Sequence, residues 1–340
     1  MIYPKNLEEG YEIGLTATSS GLSSETDHRR VESAIEHFSK LGYPIVETNN
    51  VRKEYKGRSS DGQTRAKELM ELFENPKVRA IIAASGGYYL FEMLEHLDMN
   101  LIKANPKWFQ GFSDNTGLTF TITTNLDIAT IYSNNFSSFG METWHRSLIE
   151  NIKILQGEDF VQESFDKYQK NYYERITGLE GFVLEEDVSW KNIFPRQDNE
   201  RISIEGRALG GCLDVLLKLV GTRYDKTQEF VNRYKEDKIL WFLESYNLGS
   251  EDLSSGLWQL KEAGWFEHAS GFIFGRPTMY NTYTDTTYEE VLLSILSDLN
   301  LPIIMDADIG HRQPQFTMIN GAMAKVSSQN GKGNILFQRR

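Results

Sequence analysis

Cysteine is almost missing from this chain: Cys212 is the single one in 340 residues. No intrachain disulfide can form, and a structural zinc site built from several cysteines is excluded. Positive charge is also in short supply. Lys and Arg number 36 against 48 Asp and Glu, for a formal net charge of -12. No dense Lys/Arg run offsets the deficit, so neither nucleic acid nor an anionic membrane surface is an expected partner. No apolar run approaches membrane-spanning length. The opening residues, Met1 to Glu9, lack a basic stretch followed by an apolar core, so they do not read as a secretion signal and the cytoplasm is the expected location. Internal repeats and low-complexity tracts are absent as well.

What remains is ordinary globular material, 40% hydrophobic and 25% charged, with a length that suggests two domains. Ile13 to Thr18, Pro44 to Glu47, Val78 to Ala84, Trp108 to Phe112 and Asp127 to Tyr132 read as short apolar strands. Helical patterns lie between them, for example Val31, Ala34, Ile35 and Phe38, or Ala66, Leu69, Met70 and Phe73. That alternation predicts right-handed βαβ units and an α/β fold with a doubly wound, mostly parallel sheet. Residues 1–155 are the expected N-terminal α/β domain. Residues 156–201, rich in charge and aromatics, read as a linker and substrate-shaping excursion. Residues 202–340 read as a second, smaller α/β domain of mixed strands, with strands at Ile204 to Gly211, Lys238 to Leu243, Gly271 to Phe274, Pro302 to Met305 and Thr317 to Val326.

In a doubly wound sheet, functional groups gather at the carboxyl ends of strands. Two such ends carry chemistry. Ser85-Gly86-Gly87 follows one strand; the glycine pair has no phosphate-loop lysine and suits close approach of backbone amides to a reacting carbonyl. Gly111-Phe-Ser-Asp-Asn115 follows another, and Ser113 fits both a helix cap and a nucleophile set on a strand-to-helix turn. The side chains of Asp114, Asn115 and Thr116 can all cap the helix that follows. A serine nucleophile needs a base and an orienting acid. Of six histidines, His311 alone lies on a glycine-preceded loop beyond a strand, and Glu244 closes the apolar strand at 238–243. G-x-S-x-G lacks its second glycine here, which disfavours the α/β-hydrolases. Asp306, Asp308 and His311 match no metal-ligand spacing well, and Cys212 reads as a packed small hydrophobe or a thiol at a helix start.

Taken together, these segments resemble serine peptidase family S66, the L,D-carboxypeptidases and microcin C immunity proteins. The resemblance rests on Ile13 to Ser20, Ala80 to Gly87, Asn105 to Thr116, Glu205 to Gly211, Leu240 to Glu244 and Gly310-His311. It implies a catalytic triad of Ser113, Glu244 and His311, with an oxyanion hole of backbone N–H groups from Asp114 and from Gly86 or Gly87. It also implies a two-domain homodimer with no metal and no cofactor, acting on a small peptide or a peptidyl-nucleotide. Two substrates compete: the L,D-bond of a murein stem peptide, or an aminoacyl or peptidyl nucleotide on whose base Trp190 stacks. A non-catalytic small-molecule binder is the alternative from a different class. Length and the excursion around Trp190 fit the immunity-like branch, whereas Tyr88-Tyr89-Leu90 and Tyr132-Ser-Asn-Asn135 depart from family patterns.

Overall fold

The computed structural model describes residues 1–195 and 201–340, so five residues of the expected excursion, 196–200, lie outside the described residues. The chain divides into two compact units, Met1–Glu158 with Tyr172–Phe182, and Asp159–Asn171 with Val183–Arg340. The excursion is thus shared between them. The second unit is as long as the first, because segments expected in the linker add strands to its sheet. No described helix is long and apolar enough to cross a membrane.

The first unit contains β1 (Glu12–Thr16), α1 (Glu25–Lys40), β2 (Ile45–Glu47), α2 (Gly62–Glu74), β3 (Val78–Ala83), α3 (Phe91–Leu94), α4 (Met99–Ala104), β4 (Trp108–Gly111), α5 (Thr116–Leu126), β5 (Thr130–Tyr132) and α6 (Arg146–Gln156). Its own strands are all parallel, in the order β2-β1-β3-β4-β5. That is a doubly wound sheet whose order reverses between β1 and β3, the place where such folds open a ligand crevice. Burial on both faces explains the continuous apolar runs: five of six residues in β3 and all four in β4 are buried. Helix α1 starts with a capping box between Ser24 and Asp27, worth about 1 kcal/mol, and presents Val31, Ala34 and Phe38 to the core.

The second unit contains β6 (Val161–Glu163), β7 (Lys167–Tyr168), β8 (Glu186–Asp187), β9 (Lys191–Phe194), β10 (Ile202–Cys212), α7 (Leu213–Leu219), α8 (Thr227–Arg233), β11 (Ile239–Glu244), α9 (Ser250–Glu262), β12 (Ala269–Gly275), α10 (Tyr288–Leu296), β13 (Ile303–Ala307), β14 (Met318–Asn320), β15 (Met323–Gln329) and β16 (Lys332–Gln338). Its eight-stranded sheet runs β6-β16-β15-β10-β11-β12-β13-β9. The parallel core β10 to β13 is flanked by antiparallel strands on both sides, the mixed sheet that was expected. The predicted strand Thr317 to Val326 is two strands, because Gly321 turns the chain at φ +87°.

Candidate active site

In the first unit, β4 ends at Gly111, where a side chain is impossible: a Cβ would stand 2.7 Å from the Asn115 side chain and 3.1 Å from Ala83 Cβ. The chain then turns so tightly that Ser113 adopts φ +64°. A left-handed serine costs on the order of 1 kcal/mol, so its surroundings must hold it there. They do so with a buried polar network. Asn115 Nδ2 donates to the Ser85 carbonyl (2.8 Å) and to Asn135 Oδ1 (3.2 Å), and its Oδ1 accepts from the Thr18 hydroxyl. Asn135 Oδ1 also accepts the Phe112 N–H at 3.1 Å. One amide side chain therefore ties the turn to segments following β1, β3 and β5.

The expected side-chain caps do not form. Neither the 3₁₀ turn Ser113–Asn115 nor α5 has a side-chain cap hydrogen bond. Asp114 is buried and instead accepts from Ser19 Oγ (2.6 Å) and the Leu90 N–H (3.0 Å). Arg65, fully buried, braces the neighbouring loops by donating to the Thr18 and Tyr89 carbonyls (3.0 and 2.9 Å). Gly86 lies against the serine: a Cβ there would be 3.0 Å from both Cβ and Oγ of Ser113. Gly87 has φ +151°, and a Cβ would meet Ser19 Oγ at 2.2 Å. Space thus requires glycine at 87, and a methyl at 86 would crowd the serine. The half-buried Ser113 stands above the first turn of a helix, whose leading N–H groups lack intrahelical partners and favour negative charge.

In the second unit, every residue of β11 is buried, including its last, Glu244, at 0% exposure. A buried carboxylate is costly unless paired. Glu244 Oε2 lies 2.9 Å from His311 Nδ1. That bond assigns the Nδ1 proton and leaves Nε2 as the basic nitrogen. Two glycines make room: a Cβ on Gly310 would fall 2.5–2.6 Å from Glu244 Cγ, Cδ and Oε2, and one on Gly275 would fall 3.0 Å from Glu244 Cβ. Tyr246 packs on the imidazole with ring centroids 4.6 Å apart. The loop carrying Tyr246 is fixed by Asp214, which accepts the N–H groups of Tyr246 and Asn247 at 2.8 Å each.

Cys212 is level with Glu244 in the parallel register. Its thiol, a Glu244 oxygen and a His311 ring nitrogen lie within 4.8 Å of one another, a donor set that could hold a soft divalent ion. Burial, then the charges of Glu244 and Asp214, raise the thiol well above its usual pKa. Buried between two carboxylates, it is held as a protonated thiol rather than a reactive thiolate. Asp306 and Asp308 are each committed to a cation, Lys191 at 2.8 Å and Arg276 at 2.7 Å. Trp190 requires a correction. Its ring is 3% exposed, packed against Gly333 and Phe316, with Nε1 donating to Asp308 Oδ2 at 3.1 Å. No face is left for a base to stack on. Sequence reasoning missed Thr18, Ser19, Arg65 and Asn135, polar residues that look like loop filler until the turn they hold is seen.

Comparisons with known proteins identify the family. The model of the LD-carboxypeptidase N-terminal domain matches residues 13–133, and that of the C-terminal domain matches 205–326. The chain belongs to the S66 peptidases, the LD-carboxypeptidase family, near its microcin-immunity branch. It is 26% identical to the microcin C7 self-immunity protein of Escherichia coli, over 98% of this chain and 95% of that protein. It is similar to an MccF-like protein from Bacillus anthracis, with a TM-score of 0.82, 26% identity and all of both chains covered. The microcin C7 self-immunity protein in complex with aspartyl sulfamoyl adenosine shares the fold, with a TM-score of 0.79 and 23% identity over 100% and 99% of the two chains. The fold is thus that of a family of hydrolases.

Proposed function

We propose that this protein is a serine hydrolase that cleaves the amide bond after an L-residue, as an L,D-carboxypeptidase acts on murein peptides. The observation that carries the reading is the left-handed Ser113, held by a buried network at the end of β4 with Gly86 against its hydroxyl. In this reading His311 Nε2 takes the Ser113 proton as Oγ attacks the carbonyl carbon. The backbone N–H groups of Asp114 and the Gly86-Gly87 turn receive the oxyanion. Collapse breaks the C–N bond, and the proton on His311 passes to the leaving nitrogen. Water then attacks the acyl-enzyme by the same route in reverse. Glu244 keeps the imidazole in the working tautomer throughout. The paired, buried Glu244 supports that role, since a lone carboxylate there would be driven to its neutral form.

A second substrate reading, an aminoacyl or peptidyl nucleotide, is favoured by the solved relative bound to aspartyl sulfamoyl adenosine. Trp190 cannot serve it, so another group must contact the base. The enzyme works in the cytoplasm as a homodimer in either reading; light scattering checks the second point. The test offers the purified protein a murein tetrapeptide and an aminoacyl sulfamoyl adenosine side by side. Ser113→Ala is expected to lower turnover by on the order of 10⁴ or more while ligand binding persists. Near wild-type hydrolysis by Ser113→Ala sinks the proposal, and cleavage of neither compound by the wild type leaves the binder.

A further inference from the structure

The carboxyl edge of the parallel strands in the second unit holds more than the Glu244–His311 pair. One residue beyond the end of β12 is Arg276, and one beyond His311 is Arg312. Both line a cavity of about 370 Å³ together with Tyr168, Lys170, Ser189 and Lys191. The two carboxylates on its wall are already engaged, Asp306 by Lys191 at 2.8 Å and Asp187 by Lys167 at 3.5 Å. The arginines are not saturated. Arg276 is 5% exposed; its Nη2 donates to Asp308, its guanidinium lies 4.3 Å from the Tyr168 ring centroid, and its Nη1 is buried with no acceptor among the described residues. Among the described residues, Arg312 donates only to two backbone carbonyls, those of Pro277 and Thr278.

A guanidinium bonded to neutral carbonyls keeps its full charge, and a buried donor with no acceptor is costly to leave so. Arg312 is such a guanidinium, and Arg276, whose charge is paired by Asp308, offers its unmatched Nη1 donor; together they match an oxyanion, whose oxygens accept from both. Backbone carbonyls fix Arg312 in place, so little ordering is lost when an anion arrives. We propose that this cavity is an anion subsite that takes a phosphoryl or carboxylate group of the ligand. In the hydrolase reading Arg312, the residue after His311, holds that group on the histidine's side of the reacting bond. The inference rests on the hydrolase reading only for that last point; binding of the anion itself needs no turnover.

The test uses the intact protein and two simple probes, inorganic phosphate followed by ³¹P line broadening and acetate followed by saturation-transfer NMR. Saturable binding of phosphate identifies a phosphoryl-bearing ligand, and saturable binding of acetate a carboxylate-bearing one. Arg312→Gln is expected to weaken the bound anion by about tenfold or more, with Arg312→Lys falling between because an ammonium cannot fork. Arg79→Gln, on the other unit, is the surface-charge control and leaves binding unchanged. Arg276 is left alone, since its loss strands Asp308 and threatens folding. No saturable binding of either anion, or equal binding by wild type and Arg312→Gln, overturns the proposal.

Discussion

Gly310→Ala puts the acid–base half of the proposed site under direct stress. A methyl at this position would lie 2.6 Å from Glu244 Cδ and Oε2, where ordinary contact begins near 3.4 Å. The carboxylate must therefore retreat by about 0.8 Å to restore contact distance. Its hydrogen bond to His311 is 2.9 Å long, and such bonds tolerate only about 0.3 Å more before they weaken. The retreat exceeds the tolerance, so the imidazole loses its orienting partner. Misplacement near 1 Å costs roughly 10² in rate, and full loss of the orienting acid about 10⁴. We expect kcat to fall by between about 10² and 10⁴ with KM little changed. Part of any stability loss comes from φ +91° at Gly310, at about 1–2 kcal/mol for a left-handed alanine. Gly221→Ala separates the two effects, because Gly221 has φ +75° and open space around its Cβ. It should melt a few degrees lower and hydrolyse at the wild-type rate. Steady-state kinetics and thermal melts on both variants decide the matter. If Gly310→Ala keeps kcat within about threefold of wild type, Glu244 does not orient His311 in catalysis.

Further expectations concern both units. Gly86→Ala brings a methyl to 3.0 Å from Ser113 Oγ without a left-handed backbone, so kcat should drop by roughly 10- to 100-fold while the melting point barely moves; unaltered kinetics would show that the Gly86 turn is not part of the reacting surface. The Cys212 thiol, buried and held protonated, should resist iodoacetamide at pH 8 in the native protein and react on unfolding, and rapid native labelling contradicts its assigned environment. Lys107 is buried, and desolvation followed by the charge of Arg79 lowers its pKa to about 8 from 10.5. Between those values the unfolded chain binds more protons than the folded one, so this group makes stability rise with pH across that window. Urea midpoints at pH 8 and pH 10 should show a smaller rise in Lys107→Met, and an unchanged rise refutes the assignment.

The parallel strands were the easiest part of the chain to read, because strands buried on both faces need unbroken apolar runs, as in Val78 to Ala84 and Lys238 to Leu243. Gly111 and the Gly86-Gly87 pair read as a sharp turn and a close backbone approach in the sequence itself, whereas Gly310 read only as part of a loop and its contact with Glu244 did not show. The exchange of roles around Ser113 was not legible. Asp114, Asn115 and Thr116 all look like caps, since their local option is to bond the helix they precede. Tertiary partners won: Ser19 and Leu90 claimed Asp114, and Thr18, Ser85 and Asn135 claimed Asn115. Those partners come from up to 97 positions away, beyond the reach of any local pattern. Trp190 failed for a related reason. An aromatic in a polar stretch resembles a ligand platform, yet Gly333 leaves a slot into which the indole fits. Helix α3 spans a single turn, and the Leu90 N–H at its start is bonded to Asp114.

Asn115 acts as a knot among three strand-following segments, and this makes the proposed reactive corner a reporter of the whole sheet. Loops that hold a nucleophile by themselves can loosen while the fold persists, and activity then fades well before melting. Here the serine has no such independence. Its strained backbone is balanced by bonds whose far ends follow β1, β3 and β5, so the turn relaxes only when those strands part. Heat should therefore extinguish hydrolysis and the tertiary signature of the first unit at one temperature, and a drug or mutation that stiffens the sheet anywhere along β3 or β4 extends the working range of the enzyme with it.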